Sequence, residues 1–281
     1  MSSSEPTIPR IFIHIKPKKG WQLIDLRELR EYRDLFYLLV VRDIKIKYKQ
    51  TVLGGLWAII QPFGSMVVFT LFFGKLARMP SDGVPYPIFN YSALVAWAYF
   101  AHSVSSSVGS LVGNASLISK VYFPRLIIPL APVLGGLLDF SIALIVLIGM
   151  MVYFHVYPTV FAFLLPLLVI LMMLSASGVG MLLAALYAKY RDVGYTVPFL
   201  LQLWMFASPI VYPASMVPEK YRLFYALNPM AGVIEGFRSA LLGGTDFPIA
   251  MIAISAIISC ALFMLGLFYF KRTERFFADI I

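Results

Sequence analysis

Asp139 stands in GGLLDFSIAL as the one charged residue between positions 126 and 188. An aspartate at the centre of a membrane helix costs about 2.5–3.5 kcal/mol on insertion scales. Two readings follow. It is a site coupling transport to a proton or ion, or a polar residue capped or turned into a helix bundle. A proton-driven carrier calls for a relay, and no second acid or lysine stands within an apolar span.

A second constellation lies in NYSALVAWAYFAHSVSSSVGSLVGN. Ser103, Ser106, Ser107 and Ser110 share one helical face, and Trp97, Tyr99, Phe100 and His102 precede them. Aromatic faces stack on sugar rings and hydroxyls bond to sugar hydroxyls, so this helix could line a path for a carbohydrate, with Trp204 as a further aromatic candidate. The plainer alternative is that small residues let helices pack closely and that Trp and Tyr populate interfacial belts.

Enzyme signatures are missing. There is no GxxxxGK[ST] phosphate loop, no HExxH, no GxSxG and no CxxC pair, and His14, His102 and His155 are scattered. Glu219, Glu235 and Asp246 are the acids that a membrane enzyme acting on lipid-linked sugars would have to use. Cys260 is the single cysteine, so an intrachain disulfide is excluded.

The elements that must position these residues are membrane spans. The 281 residues are 60% hydrophobic and 13% charged, against roughly 25% charged in soluble proteins. The formal charge of +9 would suggest nucleic acid in a soluble chain; here the charges are segregated, and topology explains them. A spanning helix needs about 20 apolar residues. Apolar stretches, charge-free inside but for Asp139 in the third, give six, at about 53–75, 88–111, 128–153, 160–187, 194–212 and 248–270, with His155 to Pro158 splitting the third from the fourth. The N-terminus lacks the apolar stretch of a signal peptide, so no cleavage is expected.

Six spans put both termini on one side. That side then carries 18 of the 23 Lys and Arg residues, and the positive-inside rule makes it cytoplasmic. The segment DLRELREYRDLFYLLVVRDIKIKYK reads as an amphipathic helix at the interface, although Ile44, Ile46 and Tyr48 alternate as a strand would. The fold expected is an all-α membrane protein: a cytoplasmic arm and interface helix (residues 1–50), then a six-span domain (residues 51–275). The apolar loop between spans 5 and 6 reads as short re-entrant or surface-lying helices. Ala176, Gly180, Ala184 and Ala188 form a small-residue stripe for tight helix contact, within the chain or across a dimer. The basic loops NASLISKVYFPR and YAKYRDVGY read either as topology anchors or as docking surfaces for a cytoplasmic motor.

RDIKIKYKQTVLGGLWAIIQP, LISKVYFPRLIIPLA, YRDVGY and SPIVYPASMVPEKYRLFYALNPMAGVIEGFRSALLG together resemble the permease subunits of polysaccharide-exporting ABC transporters, the O-antigen and capsule group. The similarity covers roughly residues 30–275, and residues 1–26 are left without a role. The resemblance implies a second copy of the chain, two copies of a separate nucleotide-binding subunit that holds ATP and Mg, and a channel for a lipid-linked glycan. It implies that residues Ala115 to Tyr122 act as a coupling helix. Ser116, Ile118, Lys120 and Tyr122 there, with Arg42 and Lys45 in the basic collar RDIKIKYKQ (residues 42–50) that precedes the first span, are the candidates for coupling to the ATPase. No cofactor and no catalytic residue is expected in this chain. The function expected is export of an undecaprenyl-diphosphate-linked polysaccharide across the inner membrane. Teichoic acid permeases look similar, and an ion-coupled carrier using Asp139 is the alternative from another class.

Overall fold

The charge-free runs form the long helices. A computed structural model describes residues 30–49 and 54–277, and among these every regular element is helical. Helix α1 (Arg33–Lys49) carries Asp34 in its first turn and Lys47 and Lys49 in its last, which complements the helix dipole. The alternating Ile44, Ile46 and Tyr48 therefore sit on a helix, as the Leu-, Arg- and Glu-rich stretch before them favours. Leu39 is the one buried side chain of α1. The N-terminal residues left without a role in the sequence lie outside the described residues.

Helix α2 (Trp57–Phe69) is led by a 3₁₀ turn (Gly54–Leu56) and prolonged by a π-helical segment (Thr70–Leu76). Then come α3 (Tyr86–Gly113), the short α4 (Ala115–Lys120), α5 (Ile127–Tyr153) and α6 (Leu165–Lys189, with a 3₁₀ lead-in at Val160–Leu164). The break between α5 and α6 falls where expected: α5 ends at Tyr153, and His155 takes a left-handed φ of 54° ahead of Pro158. Helices α7 (Val193–Phe206), α8 (Glu219–Tyr225), α9 (Pro229–Leu242) and α10 (Ile249–Thr273) complete the chain.

Among the described residues, four segments are long and apolar enough to cross a bilayer: Gly54–Leu76, Ile127–Tyr153, Val160–Lys189 and Ile249–Thr273. They match the first, third, fourth and sixth expected spans. Helix α3 has 28 residues, about 42 Å at 1.5 Å per residue, but its serines and histidine make it more polar than those four. Helix α7 has 14 residues, about 21 Å, which is short of a hydrocarbon core of about 30 Å.

Helix α3 is the axis of packing, with α5 and α6 against it and α10 behind α6. The small-residue stripe of α6 is used inside the chain: Ala176, Ala184 and Ala188 are buried, and a Cβ at Gly180 would sit 2.8 Å from Ser107 of α3. The closest backbone approach is between α6 and α10. A Cβ at Gly178 would lie 2.6 Å from the Leu262 backbone, and one at Gly266 2.1 Å from the Gly178 carbonyl oxygen. The Ser175 and Ser259 hydroxyls bond across this seam at 2.7 Å.

The two ends of α3 sort the loops. At its C-terminal end, Leu39 of α1, Ile118 of α4 and Phe270 and Phe277 of the C-terminal segment share one apolar cluster. Beside them, the Arg125 backbone N–H donates to Glu274 at 3.2 Å. At the N-terminal end, Ser215 bonds Asp82 at 2.8 Å and Thr159 bonds the Ala240 carbonyl at 2.9 Å. Helix α9 is buried within the chain along its whole length.

Candidate functional site

Asp139 is paired, and its partners come from outside the spans. In the last turn of α1, Lys47 Nζ and Tyr48 Oη reach α5, where they donate to Asp139 Oδ2 and Oδ1 respectively. From α3, His102 Nε2 lies 3.1 Å from Lys47 Nζ and 3.9 Å from Asp139 Oδ2, and Ser106 Oγ lies 3.5 Å from the same imidazole. Burial, and then the hydrogen bond to Asp139, push the Tyr48 phenol well above its usual range, so it remains a proton donor. Three helices thus meet at one carboxylate. The sequence contained the signal, a lysine and a tyrosine on the last helical turn before an apolar span. Nothing in a one-dimensional reading brings position 47 to position 139.

Two cavities flank this junction, of about 370 and about 160 Å³, and Lys47, His102, Gly136 and Asp139 line both. Ser106, Ser110 and Asn114 continue the larger one toward the end of α3, and Trp57 and Gln61 of α2 line the smaller. The collar divides by helical geometry. Lys45 and Lys49, four residues apart, are exposed on the outer face of α1, whereas Lys47 turns inward. Arg42 is engaged with its neighbour Asp43 at 2.7 Å.

The aromatic and hydroxyl candidates separate into three groups. Trp97 and Phe100 of α3 form a trio with Trp204 of α7, with centroids 5.1 to 6.3 Å apart. Trp204 Nε1 donates to Asn228 Oδ1 at 2.9 Å. Tyr99 faces the other way, meeting Phe140 edge-to-face at 5.6 Å and donating to the Val133 carbonyl at 3.0 Å. Ser107 and Ser110 bond the carbonyls of Pro129 and Ser107, and Ser103 is fully buried beside Gly136. Trp97, Tyr99, Phe100, Ser103, Ser107 and Ser110 are all buried within the single chain, while Ser106 is half-buried beside the exposed His102. The expected common serine face is therefore split, because α5 and α6 pack over most of it.

The expected coupling segment is helical at Ala115–Lys120. Ile118 is buried in the cluster that holds Leu39, while Ser116, Lys120 and Tyr122 are exposed. At the far end, Glu235 and Arg238 form a buried ion pair at 2.8 Å. Glu235 also accepts from the Ala214 backbone at 2.8 Å, and Arg238 donates to the Pro209 carbonyl at 2.8 Å. This pair fixes the segment between α7 and α8, with Glu235 Oε1 accepting from both Ala214 and Arg238.

Comparison with known proteins agrees with a transport role for this architecture. Residues 34–242 match the ABC-2 type transporter family. An O-antigen export system permease protein, RfbA, of Klebsiella pneumoniae is 30% identical over 251 residues, which cover 88% of this chain and 96% of that protein. The RfbA permease of Myxococcus xanthus is 29% identical over 260 residues, covering 91% and 98%. The polysialic acid transport protein KpsM of Escherichia coli is 25% identical over 245 residues, covering 84% and 92%.

Proposed function

The chain belongs to the ABC-2 type transporter family, and from that premise we propose that it is the membrane-spanning permease of an ABC exporter for an undecaprenyl-diphosphate-linked polysaccharide. The observation that carries the reading is similarity along nearly the whole chain to O-antigen export permeases, at 30% identity over 88% of its length. ATP and Mg would be held by a separate subunit, present in two copies beside two copies of this chain.

Six spans are proposed, with α3 and α7 as the second and fifth, both termini cytoplasmic, and the protein in the inner membrane. The sorting of loops supports this: α1, α4 and the C-terminal segment gather at one end of α3, and that end holds most of the basic residues. Helices α8 and α9 would then form the outer side of the bundle, with the buried α9 entering it as a re-entrant element. The motor-facing surface would comprise Ser116, Lys120 and Tyr122 with Arg42 and Lys45, while Ile118 anchors α4 beneath it.

A second copy is proposed because α2 is barely covered: 11% of its apolar window is buried, and Trp57, Phe63 and Phe72 are exposed. Helix α7 also exposes Phe199 and Phe206. The glycan path would run between the copies. Ser106 and His102 line an open cavity in it, while Trp97 and Phe100, buried against Trp204, support α7 from behind. A sliding polymer suits many weak aromatic and hydroxyl contacts better than one tight charged pocket.

Deleting the gene of the partner ATPase tests the reading. Surface glycan should vanish while the permease still inserts in the membrane. Export that survives the deletion overturns ATP-driven transport.

A further inference from the structure

Helix α1 packs along α5, with Ile44 over Gly135, and two of its contacts matter here. One is apolar, Leu39 in its cluster. The other is polar and lies at its last turn, where Lys47 and Tyr48 both bond Asp139 of α5. Cavities of about 370 and about 160 Å³ lie on either side of this second attachment. Both carboxylate oxygens of Asp139 are engaged, one by each donor, so the end of α1 is held in one orientation as well as at one distance.

We infer that Asp139 is a positioning residue that fastens the end of α1 to α5, so that displacement of α1 by the ATPase enters the spanning helices at this carboxylate. The inference rests on the proposed function. It gives the acid inside the apolar run a mechanical role in place of a proton-coupling one. It also assigns the three collar lysines separate tasks. Lys47 fastens α1 from within, and Lys45 and Lys49 remain on the outer face.

The geometry supplies a substitute fastening. A Cβ at Gly135 of α5 would lie 3.8 Å from Ile44 Cγ1 of α1, so cysteines at 44 and 135 can be bridged by a disulfide or a short bismaleimide. Cys260, the chain's one cysteine, is first replaced by serine. The test uses the complete permease with its ATPase and reads three quantities: membrane accumulation, ATP hydrolysis by the purified complex, and surface glycan on cells. Asp139→Asn should leave assembly and hydrolysis near their original levels and lower export about tenfold, the order of losses at a coupling position. Lys47→Met with Asp139→Asn leaves no charge unpaired, so it inserts even where the single variant does not, and it should show the same export loss. Bridging Ile44→Cys to Gly135→Cys should restore export in both backgrounds, with the unbridged forms remaining low.

A proton-coupling carboxylate cannot be replaced by a covalent bridge between two other positions. Export that is unchanged by Asp139→Asn, or that stays low after bridging, overturns the inference. Export by the unaltered protein in a strain lacking the ATPase overturns the ATP-driven reading instead, and the two failures are read in different strains.

Discussion

The guanidinium carbon of Arg238 lies 3.6 Å from the centroid of the Phe89 ring, which pins α9 onto the start of α3. The same group pairs with Glu235 at 2.8 Å and holds the Pro209 carbonyl, so one side chain ties together α3, α9 and the segment after α7. Glu235 and Arg238 are 6% and 4% exposed, and breaking a buried pair from one side costs about 3–5 kcal/mol, because it strands the other charge.

Arg238→Met should therefore lower the melting temperature of the detergent-purified protein sharply. The double variant Arg238→Met with Glu235→Gln should be milder, since it leaves no stranded charge. A double variant that melts as low as the single one would mean that the contacts to Phe89 and Pro209, rather than the pair, hold this region.

The α6–α10 seam gives a second prediction. Gly178→Ala would place a methyl group 2.6 Å from the Leu262 backbone, an overpacking that costs about 1–3 kcal/mol. Gly109 on α3 meets nothing within 4 Å, so Gly109→Ala should instead stabilise by about 0.5–1 kcal/mol through helix propensity. Thermal unfolding in one detergent checks both signs. Equal effects at the two glycines would show that the seam can yield.

These comparisons mark what the sequence could and could not reveal. The helices at 127–153, 160–189 and 249–273 were legible because charge exclusion over a bilayer's thickness is a one-dimensional property. The break near His155 was legible because Pro158 and a polar pair interrupt the run. The serine face of α3 was legible as a pattern and not as a surface, because what covers Ser103 and Ser107 is set by α5 and α6. Asp139 was found, but its partners were not. Lys47 and Tyr48 stand 92 and 91 positions away, and a single sequence records no such pairing.

Asn228 joins two roles that can be separated. Its Oδ1 accepts from the Met230 backbone N–H at 3.1 Å, capping α9, and from Trp204 Nε1 at 2.9 Å. Its amide also donates to the Ala207 carbonyl at 3.1 Å. Asn228→Ala removes these three and the bond to Ser208 Oγ at 2.9 Å, and loss of the cap alone costs about 0.5–2 kcal/mol. Trp204→Phe removes one bond and keeps the aromatic trio. Hydrogen exchange at residues 230–232 should rise clearly in Asn228→Ala and little in Trp204→Phe. Equal exchange in both would place the stability of the helix start in the tryptophan contact.

The division of the collar is open to chemical labelling. Lys45 and Lys49 are exposed, while Lys47 donates to Asp139 and sits beside His102. An amine held against a carboxylate in a half-buried site reacts more slowly than one in water, because the reagent must reach a partly covered nitrogen. Brief treatment of native membranes with an amine-reactive ester, read by mass spectrometry, should modify Lys45 and Lys49 well before Lys47. Asp139→Asn should raise the rate at Lys47 severalfold and leave the other two unchanged, since neither contacts the carboxylate. A uniform rate across the three lysines in the unaltered protein would mean that α1 does not hold this orientation in the membrane.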